Sequence, residues 1–182
     1  MKTKHVLVTI LVIISSILGV SAVYSAGPAN TADVTLNIKL NPIQTITVNH
    51  SVVNIEYKLE EHYKTGLISD QKDHLTLFST GAFQVNVSSD IHLKNSAEVT
   101  IDATDVTVTA TNGTDNSLEN SVGAVPLGGD EVLITSATGG RDLNYDVTYN
   151  NKTGTEDKYL NLYDKDENNI FTTKVTYTIV AI

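Results

Sequence analysis

The sequence predicts an all-β protein built as an antiparallel sandwich. Val, Ile and Thr, the β-branched set that suits a pleated surface, dominate the chain beyond residue 30. Short runs of strict apolar–polar alternation recur along it, which is the period of a half-buried strand. Turn-forming clusters separate the runs at short, regular spacing, the spacing of a sandwich rather than of strands alternating with helices.

The elements follow in order. Residues 1–22 read as an export signal: Lys2 and Lys4, an apolar run from Val6 through Ile14 to Leu18, then Val20-Ser21-Ala22. Small residues at −3 and −1 favour cleavage after Ala22, whereas cleavage after Ala26 places bulky Tyr24 at −3. The alternative is an uncleaved anchor, but Ser15, Ser16 and Gly19 interrupt the run, which is short for a span of ~20 apolar residues. Residues 23–42 form an N-terminal extension, and residues 43–182 form one sandwich domain. Alternation marks strands at Ile43–Val48, Val52–Tyr57, Leu75–Phe78, Phe83–Val87, Val99–Ile101, Val106–Ala110, Val132–Ile134, Leu143–Tyr149, Tyr159–Leu162 and Phe171–Ile182. Breaks fall at Asn112-Gly113, Gly128-Gly129-Asp130, Gly139-Gly140, Asn150-Asn151 and Lys165–Asn169. Leu59–Leu67 is the one stretch with room for a helical turn.

Composition excludes several classes. There is no cysteine, hence no lipid attachment site and no disulfide. An exported domain of this kind draws its stability from core burial, and the 160 residues after the leader suffice for one core. The leader holds two lysines and no acidic residue, which leaves ten basic against 21 acidic residues, a net charge near −11. Such a polyanion is a poor partner for nucleic acid or anionic lipid. No sorting motif, GPI-type tail or second apolar span follows the last strand, so a surface location is expected to come through another protein.

Signals of catalysis are weak, and no enzyme activity or cofactor is expected. His50, His62, His74 and His92 have no partner at metal-ligand spacing; His62 after Glu60-Glu61 comes nearest and reads as a solvated surface residue. No Gly-x-Ser-x-Gly elbow occurs. "DKDENN" places Asp164, Asp166 and Asn168 at positions 1, 3 and 5 of a calcium loop. Position 6 is Asn169 instead of Gly and position 12 is Val175 instead of Glu, so a hairpin turn competes with a weak cation site. Asn49, Asn86, Asn112 and Asn151 open Asn-x-Ser/Thr triplets, which carry meaning only in a eukaryotic secretory pathway.

The two ends are the distinctive features. "FTTKVTYTIVAI" sets Phe171, Val175, Tyr177, Ile179 and Ala181 on one face and Thr172, Lys174, Thr176 and Thr178 on the other. If its neighbour strand is missing, it offers an open row of backbone donors and acceptors beside an apolar groove, with Val175, Tyr177, Ile179 and Ala181 at the groove edge. The extension "TADVTLNIKLNPIQTITV" supplies a suitable filling. Val34, Leu36, Ile38 and Leu40 share one face, a strand of residues 33–41 reaches about 30 Å at ~3.3 Å per residue, and Pro42 serves as a hinge because it cannot donate to a ladder. This is the logic of strand donation from one subunit to the next.

The stretch Ala32–Val48 resembles the mature N-terminus of class 5, or alpha-type, chaperone–usher fimbrial major pilins. Those begin with an alternating strand, then an acidic or amide residue plus proline, then a second apolar strand. The matching positions are Val34, Leu36, Ile38, Leu40, Asn41-Pro42 and Ile43–Val48; "HLTLFSTGAFQVNVSS" and the C-terminal strand are similar in kind. The resemblance implies an immunoglobulin-like sandwich left incomplete and filled by the next subunit's donor strand. It also implies a homopolymeric fimbria on a bacterial surface, a periplasmic chaperone and an outer-membrane usher as partners, and a role in adhesion to a host receptor. Two other readings stand beside it. Residues 33–41 serve as the first strand of their own sandwich, or the protein is a secreted monomeric module that binds a glycan or another ligand. Sugar-stacking modules present aromatics, and here Tyr145, Tyr149, Tyr159, Tyr163 and Tyr177 form either such a platform or a set of strand tyrosines with wet hydroxyls.

Overall fold

The computed structural model describes residues 30–152, 157–165 and 169–182. The expected leader lies outside them, as do Asp166 and Asn168 of the "DKDENN" stretch. The chain divides into a first unit that ends at Lys39 and a second running from Leu40 to Ile182.

The second unit is mostly β, with antiparallel sheets packed on one another. Strand β1 (Gln44–Val48) is followed by helix α1 (Glu60–Thr65), β2 (Ile68–Ser79), β3 (Phe83–Ser89) and a small hairpin of β4 (His92–Lys94) and β5 (Thr100–Asp102). Then come β6 (Thr107–Asn112), β7 (Ser121–Val122), β8 (Ala124–Pro126), β9 (Asp130–Ser136), β10 (Gly140–Asn150) and β11 (Val175–Ala181). One sheet has five strands in the order β1-β2-β10-β6-β8, and the other has four in the order β11-β3-β9-β7. Consecutive strands seldom neighbour one another, so most pairings are long-range.

The alternation that marks each strand is the alternation of its burial. In β3, Phe83, Val85 and Val87 are buried while Gln84, Asn86 and Ser88 are half-exposed. In β10, Leu143, Tyr145, Val147 and Tyr149 turn inward. These meet Leu75 and Leu77 of β2, Val108 and Ala110 of β6, Leu133 and Ile134 of β9 and Tyr177 of β11 in one core. Full burial of Phe83, Leu75 or Leu77 contributes roughly 1.5–3 kcal/mol each.

Besides the register shifts in β9, where Leu133 and Ile134 are both buried, and at the start of β10, four places depart from simple alternation. The helical turn allowed at Leu59–Leu67 forms as α1, with Lys64 paired to Glu60 one turn back and Gly66 closing it at φ 64°. Residues 52–57 keep strand-like alternation, with Val53, Ile55 and Tyr57 half-buried, yet carry no ladder. Tyr159–Leu162, expected as a strand, is a turn: the Tyr159 hydroxyl donates to Asp105 (3.0 Å) and accepts from the Asn151 amide (2.9 Å), which curls the chain around a side chain.

The fourth departure is a bulge in β2. Tyr145 pairs with Leu75 and Val147 with Gln71, so β2 carries two residues more than β10 across that interval. Asp73 lies at φ 46° within it. Asp146 Oδ1 accepts from the Asp73 amide (2.8 Å), and the Asp73 carboxylate accepts from the Thr114 amide and hydroxyl (both 2.7 Å). The local rotation turns His74 inward, so His74 and Leu75, adjacent in sequence, are both buried. Because the excess is two residues, the phase then recovers, and Gln71 and Ser69 lie opposite Val147 and Tyr149.

Candidate functional site

Strand β11 is an edge strand. It pairs on one side with β3, from Val175↔Ser89 to Ala181↔Phe83, and no described strand pairs with its other side. The ladder's phase follows from the next pair, where the Ile182 amide donates to the Ala82 carbonyl (3.3 Å). In an antiparallel pair, alternate residues direct both backbone groups to the same neighbour. Thr176, Thr178 and Val180 therefore bond to β3. Val175, Tyr177, Ile179 and Ala181 direct their N–H and C=O groups to the open side. These are the four residues expected at the groove edge. Tyr177 is buried, Val175 and Ile179 are half-buried against the core, and Ala181 is exposed.

Strand β1, the edge of the other sheet, runs beside β11. Its Ile46 is half-buried against the same core. The two sheets thus end next to one another in edge strands whose inward aliphatics are incompletely covered.

The structure ties β1 down immediately after Pro42. The Ile43 amide donates to Thr80 Oγ1 (3.0 Å), and the Thr80 amide donates back to the Ile43 carbonyl (3.1 Å). Gln44 to Val48 then pair with β2. Pro42 is therefore the last residue before the hydrogen bonds that anchor β1.

The extension itself carries no ladder over residues 30–43. Val34, Leu36, Ile38 and Leu40 are exposed by 91, 81, 78 and 88%. Four large aliphatics at alternate positions so nearly free of cover form an apolar stripe of the kind that marks an interaction surface.

A polar chain lies directly beneath β11. Tyr177 Oη lies 2.6 Å from Tyr149 Oη, and Tyr149 Oη lies 3.0 Å from His74 Nε2. His74 Nδ1 in turn lies 3.4 Å from His50 Nδ1. His74 is 1% exposed, and burial, followed by the neighbouring His50, pushes its pKa down to about 4. Burial likewise raises the Tyr149 and Tyr177 hydroxyls. Spacing alone gives no hint of this chain, because alternation from Leu75 and Leu77 sends His74 outward. The polar Lys72-Asp73 pair just before it is the one local sign of the bulge.

The tyrosines do not form a platform. Tyr145, Tyr149 and Tyr177 are buried, and their hydroxyls are bonded inside rather than wet: Tyr145 donates to Asn120 Oδ1 (2.7 Å). Tyr57 lies edge-on to Tyr63 and Tyr159, and Tyr163 is exposed. The described ends of the "DKDENN" stretch close on themselves. The Asn169 amide donates to the Asp164 carbonyl (2.6 Å), and the Asp164 amide donates to Asn169 Oδ1 (2.9 Å). Among the described residues no three His, Asp or Glu side chains converge as a metal site would require. His62 lies in α1, where its Nδ1 accepts from the Lys58 amide (3.1 Å), and His92 Nδ1 faces Asp102 (3.1 Å). No helix among the described residues is long and apolar enough to cross a membrane. No protein-family model matches this chain, and no curated protein matches its sequence.

Proposed function

We propose that this protein is a structural subunit of a bacterial surface fimbria that polymerises by donor-strand exchange. In this reading the sandwich is an incomplete immunoglobulin-like domain. Residues 33–41 of one subunit pair with the open side of β11 in the next, and Val34, Leu36, Ile38 and Leu40 fill the apolar seam there. Pro42 is the hinge between the donated strand and the segment anchored from Ile43 onward. A periplasmic chaperone covers the edge in transit, and an outer-membrane usher assembles the polymer, as the pilin resemblance implies. The chain is then exported, and adhesion is a property of the assembled fibre.

The observation that carries the reading is the pairing of complementary features in one chain. An edge strand presents alternate unpaired backbone groups next to half-buried aliphatics. An extension presents four exposed aliphatics with the same two-residue period and no ladder over its described residues. Each alone is a liability for aggregation; together they satisfy one another. Nine residues at ~3.3 Å each are long enough to run the length of β11.

The test compares the chain from Val23 with the chain from Ile43. The longer form is expected to give SDS-resistant oligomers that dissociate on heating. The shorter form does not assemble, and a peptide of residues 31–42 increases its solubility and protection. A longer form that stays monomeric at high concentration, and that unfolds when residues 33–41 are removed, contradicts the proposal and assigns the strand to its own sandwich.

A further inference from the structure

The chain His50–His74–Tyr149–Tyr177 links an exposed imidazole to a hydroxyl buried beneath the edge strand. Its hydrogen bonds are fully satisfied in one direction. Tyr177 donates to Tyr149, Tyr149 donates to His74 Nε2, and His74 Nδ1–H donates to the unprotonated Nδ1 of His50. Run in the other direction, with His50 donating to His74, the chain ends on a Tyr177 hydroxyl whose proton has no acceptor among the described residues. The outer end therefore has to be an acceptor, and among the four groups His50 alone is open to solvent.

The ring geometry supports a hydrogen bond between the imidazoles rather than a shared ion. The ring centroids are 5.6 Å apart and the Nδ1 atoms 3.4 Å apart, a difference of about two ring radii, so the nitrogens face one another nearly head-on. Two ligands of a tetrahedral metal would instead have to converge at an angle.

Few other charges reach the chain. His74 faces His50 from the loop after β1, Tyr149 from β10 and Tyr177 from β11. On its own strand, Lys72 pairs with Asp146, and Asp73 is held by Thr114. Asp146 of β10 is spent on Lys72 and the Asp73 amide, and Tyr145 of β10 on Asn120.

We propose that this chain is an acid-sensitive latch on β11. When His50 takes up a proton, its Nδ1–H opposes the Nδ1–H of His74. His74 then changes tautomer and the chain reverses: His50 donates to His74, His74 Nε2–H to Tyr149 and Tyr149 to Tyr177. The three hydrogen bonds are kept, but the buried Tyr177 O–H is left without an acceptor among the described residues, and that cost falls on the centre of β11. If β11 is the acceptor edge, which rests on the donor-strand reading above, acid loosens the edge that receives the neighbouring subunit.

The test is amide hydrogen exchange on the monomeric fraction of the mature chain, corrected for the intrinsic effect of pH, with imidazole ¹⁵N shifts recorded in parallel. At pH 7.5, His74 is expected as the Nδ1–H tautomer. Between pH 7.5 and 5, protection of Tyr177 and its neighbours in β11 is expected to fall about tenfold relative to β9. His50→Gln keeps an acceptor that does not titrate and is expected to remove that fall. Should that variant not fold, Tyr177→Phe serves: β11 then exchanges faster at every pH and without the acid step. An Nε2–H tautomer at pH 7.5, a flat profile in the unaltered chain, or an unchanged acid step in either variant overturns the latch. Because the measurement is made on monomer, such a result leaves the polymerisation test independent, and a failure to polymerise leaves the exchange profile independent.

Discussion

Leu36→Ala separates a donated strand from an intramolecular one. Leu36 is 81% exposed in the chain, so truncating it removes little buried surface. The monomer's unfolding free energy is expected to change by no more than about 0.5 kcal/mol, as for other surface substitutions. In a polymer joined by this strand the same side chain is buried in the seam beside β11. Burial of a leucine is worth ~1.5–3 kcal/mol, and most of that is lost with the three terminal carbons, so about 2 kcal/mol per junction is a fair expectation. At 1.4 kcal/mol per factor of ten, junctions are weakened roughly 30-fold. The assay pairs thermal denaturation of the monomer with the lifetime of SDS-resistant oligomers at fixed temperature. Asn37→Ala, one position along on the opposite face of the strand, is the control and is expected to leave both readouts unchanged. The reasoning is refuted if Leu36→Ala lowers the monomer's Tm by several degrees, or if Asn37→Ala shortens oligomer lifetime as much as Leu36→Ala does.

Three further outcomes are expected within the sandwich. Tyr177→Phe deletes a buried hydroxyl bonded to Tyr149 and should cost about 1 kcal/mol in urea denaturation at pH 7.5; a neutral result removes Tyr177 from the network. His74 has its pKa lowered from 6.5 to about 4 in the folded chain, so the unfolded state takes up its proton first as pH falls. The stability this residue provides is complete above pH 6.5 and is lost as pH falls from 6.5 to 4, by about 3 kcal/mol in all. His74→Gln should flatten that part of the pH–stability curve, and an unchanged slope assigns the loss to carboxylates instead. Gly66 ends α1 at φ 64°, and a Cβ there would lie 2.0 Å from the Asn151 carbonyl oxygen. Gly66→Ala should therefore cost at least ~2 kcal/mol, read as a drop in denaturation midpoint, because both backbone conformation and contact are violated.

What could be read from the sequence, and what could not, divides along the physics of the strand. Alternation reports which side of a segment is buried, and β3 and β10 follow it because each runs across the core with one face inward. It does not report whether a ladder partner exists. Residues 52–57 alternate as regularly as β3, yet have no ladder. Residues 33–40 alternate just as well with their apolar face in the open, so the stripe is legible while the identity of what covers it is not. Nor does a fixed period survive inside a bulge. Where Asp73 enters the left-handed region, His74 turns into the core against the parity that Leu75 and Leu77 set. That turn depends on Asp146 and Thr114, which are 73 and 41 residues away from Asp73. The inward face of β11 is accessible to a sequence reading because it needs only the parity of the last strand. The polar chain beneath it is not, because it depends on a local rotation set by residues on two other segments. The same bulge therefore explains both why a histidine lies under β11 and why local pattern could not place it there.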